Sequence, residues 1–168
     1  MKKILLVAVL ALMAFSAKAQ VYVGGNVGMN ASTGFTQFYL RPEAGFSLNE
    51  KMSVGAVVGL ALDNQKDYSS RTDFTLNPYF RYTFFNLGPV SFFADAEVAL
   101  NFGNEKDLVL DTQNNYFNWG VGIRPGFAIP LTEKLSFVGH LGSVGYYYNA
   151  FSIDLDANAI GVGMYYSF

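Results

Sequence analysis

The feature that most constrains this chain is a strict alternation of residue types in its last nine residues. Large apolar side chains occupy every second position, namely Ile160, Val162, Met164, Tyr166 and Phe168. The positions between them hold Gly161, Gly163, Tyr165 and Ser167. A period of two is typical of a β-strand, because successive side chains point to opposite faces. The second face is too rich in glycine for an ordinary watery surface, so the pattern favours a strand between lipid and a narrow lumen.

The same alternation recurs upstream, in stretches separated by turn signals. These stretches are 20–30, 38–48, 52–62, 74–84, 90–102, 117–129 and 135–148. Short connections alternate with longer polar ones, which predicts antiparallel strands with both termini on the periplasmic side, beside the short turns. The sequence therefore predicts an all-β fold, an eight-stranded antiparallel up-and-down transmembrane β-barrel. The alternative is a soluble eight-stranded barrel of the lipocalin type, which would keep its large apolar side chains inside.

Aromatic residues on the predicted outer face fall into two bands, as expected at the two interfaces of a membrane. The band near the short turns contains Phe46, Tyr82, Phe84, Phe92, Tyr166 and Phe168. The band near the longer connections contains Phe38, Phe74, Phe102, Trp119 and Tyr147.

Two of the predicted hairpins share a sequence unit. Arg41-Pro42 followed by Glu50-Lys51 recurs as Arg124-Pro125 followed by Glu133-Lys134. Proline removes a ladder hydrogen bond, so the sequence predicts a bulge or bend at each of these prolines and at Pro78. Projection outward from the turns sets Arg41 opposite Gly59 and Arg124 opposite Gly142.

Residues 1–19 have the form of a secretory signal peptide. A positively charged start precedes a short apolar run, and the small residues Ala17 and Ala19 form a cleavage site before Gln20. The alternative is a membrane anchor, but the run is short for a helix that must span a bilayer. Removal of the signal leaves 20–168 as one outer-membrane barrel domain, and the absence of cysteine excludes a lipid-anchored lipoprotein.

The signal, the rhythm of strands and turns, and the ending Tyr165-Tyr166-Ser167-Phe168 resemble the small eight-stranded outer-membrane barrels of the OmpX and OmpA-transmembrane-domain type. The resemblance covers all of 20–168 and rests on pattern more than on one motif. It implies location in the outer membrane of a Gram-negative envelope and insertion by the barrel-assembly machinery. It also implies that this machinery reads Phe168 with the alternate residues Tyr166 and Met164.

Seven inward positions carry charge or a titratable ring: Arg41, Glu43, Arg81, Asp95, Glu97, Arg124 and His140. Their acidic and basic residues balance, and their distances from the turns put them in one layer at mid-height. The turn at Gly88 sets Arg81 opposite Asp95. Charges in a narrow lumen are costly unless paired, so we expect an ion-paired plug. The alternative is a selectivity filter in a narrow porin-like channel for ions or small solutes.

Catalysis is not expected. A lipid-modifying outer-membrane enzyme would need a serine beside the histidine on the same face. Ser143 lies three residues from His140 and is therefore predicted on the opposite face, with Gly142 as the same-face neighbour. No cofactor motif, metal-ligand spacing or basic nucleic-acid patch is present, so no cofactor and no nucleic-acid partner are expected.

The longer connections carry most of the remaining charge. Their acidic residues are Asp63, Asp67, Asp73, Glu105, Asp107, Asp111, Asp154 and Asp156, against Lys66, Arg71 and Lys106. Such loops could bind divalent cations or a basic surface ligand, or serve only to keep the rim hydrated. The prediction as a whole is a monomeric barrel in outer-membrane lipid, with a plugged polar lumen, acidic extracellular loops and a structural or surface-interaction role.

Overall fold

The computed structural model describes residues 20–32, 34–66, 68–154 and 160–168, with the backbone alone for 28–32, 160 and 161. The predicted signal peptide and its cleavage residues Ala17 and Ala19 lie outside the described residues, and Gln20 is exposed at the start of the fold. Asp67 and Asp156 of the acidic set also lie outside them. The described part of the chain contains no helix long and apolar enough to cross a membrane.

In the described part of the chain, ten β-strands form one antiparallel sheet that closes into an eight-stranded barrel. They are β1 (Val21–Ser32), β2 (Phe35–Ser47), β3 (Met52–Gln65), β4 (Ser69–Leu87), β5 (Val90–Asp107), β6 (Thr112–Pro130), β7 (Leu135–Leu141), β8 (Ser143–Tyr147), β9 (Ala150–Asp154) and β10 (Ile160–Ser167). Together β7 and β8 form the seventh barrel strand, because both pair with β6. Similarly, β9 pairs with β8 and β10 with β7, so they share the eighth position. Pairing of β10 with β1 closes the barrel, as the alternating ending predicted.

The large apolar side chains face outward, which confirms the membrane type of barrel and excludes the lipocalin-like alternative. On β4, Phe74, Leu76, Phe80 and Tyr82 are exposed, whereas Asp73, Asn77, Tyr79 and Arg81 are buried. The buried apolar core of the described residues is correspondingly small and mostly aromatic: Tyr22, Val57, Tyr79, Phe93, Val138 and Tyr165. Polar groups therefore occupy much of the interior, which is where the candidate site lies.

Among the described residues, the predicted connections between 62 and 74 and between 102 and 117 are mostly paired strand rather than loop. β3 continues to Gln65 and β4 begins at Ser69, and Asp107 is likewise separated from Thr112 by a short turn. β4 and β6 have 19 residues each. At about 3.4 Å per residue and a tilt near 40° they rise roughly 50 Å, about twice the apolar band of a membrane barrel. The prediction of long loops was wrong, because neighbouring strands satisfy each other's backbone even where the sequence is polar.

The short turns lie at the end of the barrel that carries the chain termini, here called the terminal end; the opposite end is the distal end. At two of them the repeated unit forms the same structure. The Leu48 amide donates to the Met52 carbonyl (2.7 Å), and the Leu131 amide donates to that of Leu135 (2.8 Å). The Asn49 and Thr132 side chains then accept hydrogen bonds from the following amides. The sequence repeat is therefore a repeated turn.

The predicted irregularity is found at one of the three prolines. The β2–β3 ladder passes from Leu40 opposite Leu60 to Glu43 opposite Val57 with its register unchanged across Pro42, and the β3–β4 ladder keeps its register across Pro78. Pro125 lies opposite Ala94 in an unshifted β5–β6 ladder, but on the other side of β6 the register changes between Gly126 and Ile123, across Pro125. A further register shift occurs on β4 between Thr83 and Phe85.

The irregularity beside Pro125 is an extra residue at Gly142, which moves the side chains of β8 to the opposite faces of the sheet. His140 pairs with Gly126, but Val144 pairs with Ile123, so the β7–β8 segment carries one residue more than the facing part of β6. Tyr147 consequently faces the lumen, and Tyr146 takes the outward place beside Trp119 with ring centroids 6.3 Å apart. The prediction that Tyr147 belongs to the outer aromatic band was wrong for this reason.

The backbone at Gly142 should resist substitution. Its φ of 106° lies where L side chains are strained, so we expect Gly142→Val to lower the free energy of unfolding by about 1–3 kcal/mol. Urea unfolding in detergent micelles, followed by the fluorescence of Trp119, would measure it. Leu141→Ala, at the outward neighbour, is the control. Equal losses in the two variants would contradict the strain.

Candidate functional site

Five strands carry the seven predicted inward residues to the middle of the lumen. Arg41 and Glu43 come from β2, Arg81 from β4, Asp95 and Glu97 from β5, Arg124 from β6 and His140 from β7. Each follows the inward phase of its strand, so alternation alone aims them at one another. Six of the seven, all except Arg41, make hydrogen bonds or ion pairs within the group, and these six are called the lumen network below.

Asp95 is the centre of the lumen network and is 0% exposed. Arg81 lies directly opposite in register, and its guanidinium donates two hydrogen bonds to Asp95: Nε to Oδ1 at 2.6 Å and Nη2 to Oδ2 at 2.9 Å. Arg124 Nη2 and His140 Nε2 also reach Oδ2, at 3.4 and 3.0 Å. Because donors from three other strands contact this buried carboxylate, its position is fixed and it connects those strands to β5.

Aromatic rings enclose the Arg81 head on several sides. The guanidinium carbon lies 4.0 Å from the Phe93 ring centroid, 5.0 Å from that of Tyr79 and 5.3 Å from that of Tyr165. Arg81 Nη2 also donates to the Tyr165 hydroxyl at 3.2 Å. These rings are inward residues that charge alone does not reveal. Their inward phase in the alternating pattern is the signal that identifies them.

The two glutamates link the lumen network to tyrosines on other strands. Glu43 lies 3.4 Å from Arg81 and accepts a hydrogen bond from Tyr79, whose hydroxyl is 2.6 Å from that of Tyr22. Glu97 forms an ion pair of 3.7 Å with Arg124. Tyr147, turned inward by the bulge at Gly142, donates to Glu97 at 3.0 Å. The lumen is thus crossed by contacts between strands far apart in sequence.

Arg41 stands apart from this layer. No carboxylate of the described residues forms an ion pair with it. The Arg41 stem runs beside Gly59, where an added Cβ would come 3.6 Å from its Cγ, as predicted from the turn register. Its head lines a cavity on the distal side of the lumen network.

That cavity has a volume of about 1130 Å³ and opens at the distal end. Asp73, expected in an acidic loop, is buried in its wall, paired with Arg71 at 2.6 Å and bonded by the Tyr116 hydroxyl. Asp63 also lines the cavity. Both face inward because β3 and β4 keep their alternation past the predicted loop boundary. Part of the predicted acidic surface therefore belongs to the lumen.

His140 and Ser143 both line the cavity, so the prediction that they lie on opposite faces was wrong. The extra residue at Gly142 brings Ser143 inward. The His140 ring is engaged with Asp95, and the Ser143 side chain is hydrogen bonded to Tyr147. Among the described residues, no three His, Cys, Asp or Glu side chains are arranged to hold a metal ion.

The residues implied in assembly, Met164, Tyr166 and Phe168, all lie on the outer face and are exposed. The Tyr166 and Phe168 rings meet edge to face with centroids 5.1 Å apart. The Phe168 amide donates to the Val21 carbonyl at 3.0 Å, so the last residue belongs to the closing seam.

No protein-family model and no curated protein matches the sequence. Among solved structures, the chain is similar to Neisserial surface protein A, with 18% identity over 89% of this chain and 96% of that one, at a TM-score of 0.54. It is also similar to a major outer membrane protein from Thermus thermophilus, with 18% identity over 90% of this chain and 100% of that one, at a TM-score of 0.60. The chain therefore has the fold of the small eight-stranded outer-membrane β-barrels.

Proposed function

We propose that this protein is an integral outer-membrane barrel that does not conduct and that has a structural or surface-interaction role. The observation that supports it is the filled middle of the lumen: the ion pairs around Asp95, with Phe93, Tyr165 and Tyr22 packed beside and below them. An eight-stranded barrel is just wide enough for side chains to fill its interior. The outward apolar face fits a lipid surround, and the distal hairpins would then extend outside the cell.

Conductance tests this proposal. We expect purified wild-type protein in planar bilayers to show little or no conductance. Arg81→Ala should leak, because it removes the side chain that spans from Asp95 to Glu43. Arg71→Ala, which removes a cation outside the lumen network, serves as the control and should stay closed. A steady wild-type channel would overturn the plug.

A narrow channel for ions or small solutes remains the rival function, and the cavity that reaches Arg124 and Glu97 from the distal end favours it. A lipid-modifying activity has weaker support, since His140 and Ser143 sit inside the lumen rather than facing lipid. An altered lipid A profile in a deletion strain would support that activity. Insertion by the barrel-assembly machinery through Phe168 is also proposed, and loss of insertion in cells after deletion of Phe168 would test it.

A further inference from the structure

The cavity on the distal side of the lumen network has the form of a binding site. Its wall takes residues from β1 through β9, and its floor is the lumen network, where Glu97, Arg124 and His140 line it. Its volume of about 1130 Å³ matches the upper range of small-molecule sites. Because the lumen network closes it at one end, the cavity is a cup rather than a passage.

The wall of this cup carries unpartnered polar atoms. Seven buried side-chain atoms of the described residues have no hydrogen-bond partner, and all seven belong to residues lining the cavity: Asn26 Oδ1, Asp63 Oδ1, Thr75 Oγ1, Asn77 Oδ1, Glu97 Oε2, Asn101 Oδ1 and Arg124 Nε. Asn77 and Asn101 are each only 6% exposed. Buried polar groups almost always have partners, so this wall fits a polar guest. Six of the seven atoms are oxygens, which favours a guest rich in hydrogen-bond donors.

Two opposite charges in the cup lack ion pairs among the described residues. Arg41 is the cation: Arg124 repels it and Glu97 and Glu43 attract it, but neither carboxylate forms an ion pair with it. Asp63 is the anion: one of its carboxylate oxygens has no hydrogen bond, and Arg71, directly opposite it in register, attracts it but makes its ion pair with Asp73. An unpaired guanidinium suits a carboxylate, and an unpaired carboxylate suits an ammonium group. A guest that carries both groups would satisfy the two residues together.

The spacing of these charges sets the length of the guest. The register of β2 and β3 puts Arg41 level with Gly59 and Gln37 level with Asp63. Asp63 is thus four residues beyond Gly59 on the same strand, about 14 Å away. An extended chain covers about 3.3–3.6 Å per residue, so three or four residues span the gap. Between the ends, the polar side chains of Thr75, Asn77 and Asn101 line the cavity beside the peptide backbone.

We propose that the cup binds short peptides of about three or four residues in extended form, with the peptide carboxylate on Arg41 and the peptide ammonium on Asp63. This goes beyond the structural role proposed above and does not depend on it. Binding can succeed or fail whether or not the barrel conducts.

A series of ligands tests the proposal on the wild-type protein in detergent micelles by calorimetric titration. The probe is triglycine, and the comparisons are free glycine, triglycine amide, N-acetyl-triglycine and maltotriose. We expect triglycine to bind and each peptide with one blocked end to bind at least about tenfold more weakly, as for the loss of one charged contact. No triglycine binding, equal binding of the blocked forms, or tighter binding of maltotriose would overturn it.

Variants assign the two ends of the peptide. Arg41→Gln should weaken triglycine about tenfold and erase the difference between triglycine and its amide, whereas Asp63→Asn should erase the difference from the N-acetyl form. Lys51→Gln and Glu50→Gln, on a turn at the terminal end, make the same charge changes outside the cavity and should bind as wild type. Equal weakening by the turn variants, or retained discrimination in Arg41→Gln, would contradict the assignment.

Discussion

Replacing Arg81 with alanine is expected to lower the free energy of unfolding by about 3–5 kcal/mol, because it leaves buried carboxylates without their main cation. Asp95 is 0% exposed and would lose two hydrogen bonds, and Glu43 would lose its only ion pair among the described residues. Arg124 and His140 still reach Asp95, which places the loss toward the lower end of that range. Urea unfolding in micelles, followed by Trp119 fluorescence, measures it.

Two further variants test whether the loss comes from leaving a buried carboxylate without its cation. Lys106→Ala removes a cation from an exposed pair, since the side chains of Lys106 and Asp111 are 49% and 88% exposed, and such a pair is worth about 1 kcal/mol or less. Arg81→Ala combined with Asp95→Ala removes both members of the central pair, so the double variant should lose less than the sum of the two single losses. A loss in Arg81→Ala no larger than in Lys106→Ala would refute the buried network.

Replacing Phe93 with alanine is the second change with a large expected effect, again about 3–5 kcal/mol, as for a fully buried aromatic ring. Phe93 is 1% exposed and contacts both the Arg81 guanidinium and the His140 ring, the latter edge to face at 5.5 Å. Its ring also fills the space left by Gly126, where an added Cβ would lie 2.6 Å from the Phe93 Cζ. The truncation therefore opens a void beside the charged group it supports. Urea unfolding gives the loss.

The neighbouring residue supplies a matched control. Phe92 lies on the outer face, stacked on Phe85 with centroids 5.8 Å apart. Acyl chains or detergent can fill the space left by Phe92→Ala, so its loss should be closer to the 0.5–1.5 kcal/mol or so of one aromatic pair. Similar losses in Phe92→Ala and Phe93→Ala would show that Phe93 is not a packing element of the plug.

The middle of the site follows from the sequence alone. Two-residue alternation and the turn at Gly88 are enough to set Arg81 opposite Asp95, because antiparallel register is counted outward from a tight turn. The same counting places Arg41 beside Gly59. It could not show that Arg41 lacks an ion pair, since side chains this long can reach several partners and the choice depends on contacts across the lumen.

In the distal half of the barrel, counting residues outward from the turns does not give the correct side-chain directions. A single extra residue at Gly142 turns Tyr147 and Ser143 inward. Pro125 on the neighbouring strand predicts an irregularity at this height, but it does not show which of the two strands carries the extra residue. Asp63 and Asp73 were assigned to a loop because polar composition is typical of loops, yet both continue the inward phase of paired strands. The burial of Asp73 depends on a strand that is distant in sequence, since Tyr116 of β6 donates a hydrogen bond to it.

The sequence by itself determined the barrel: the period of two fixes the strands, the outward large residues fix the membrane type, and the turns fix the pairing. Only the tertiary structure decided how the lumen is divided, with a filled lumen network toward the terminal end and an open polar cup toward the distal end. The reason is physical. Strand pairing is a local, repeating constraint, whereas the filling of a lumen depends on which side chains from several strands meet at one height.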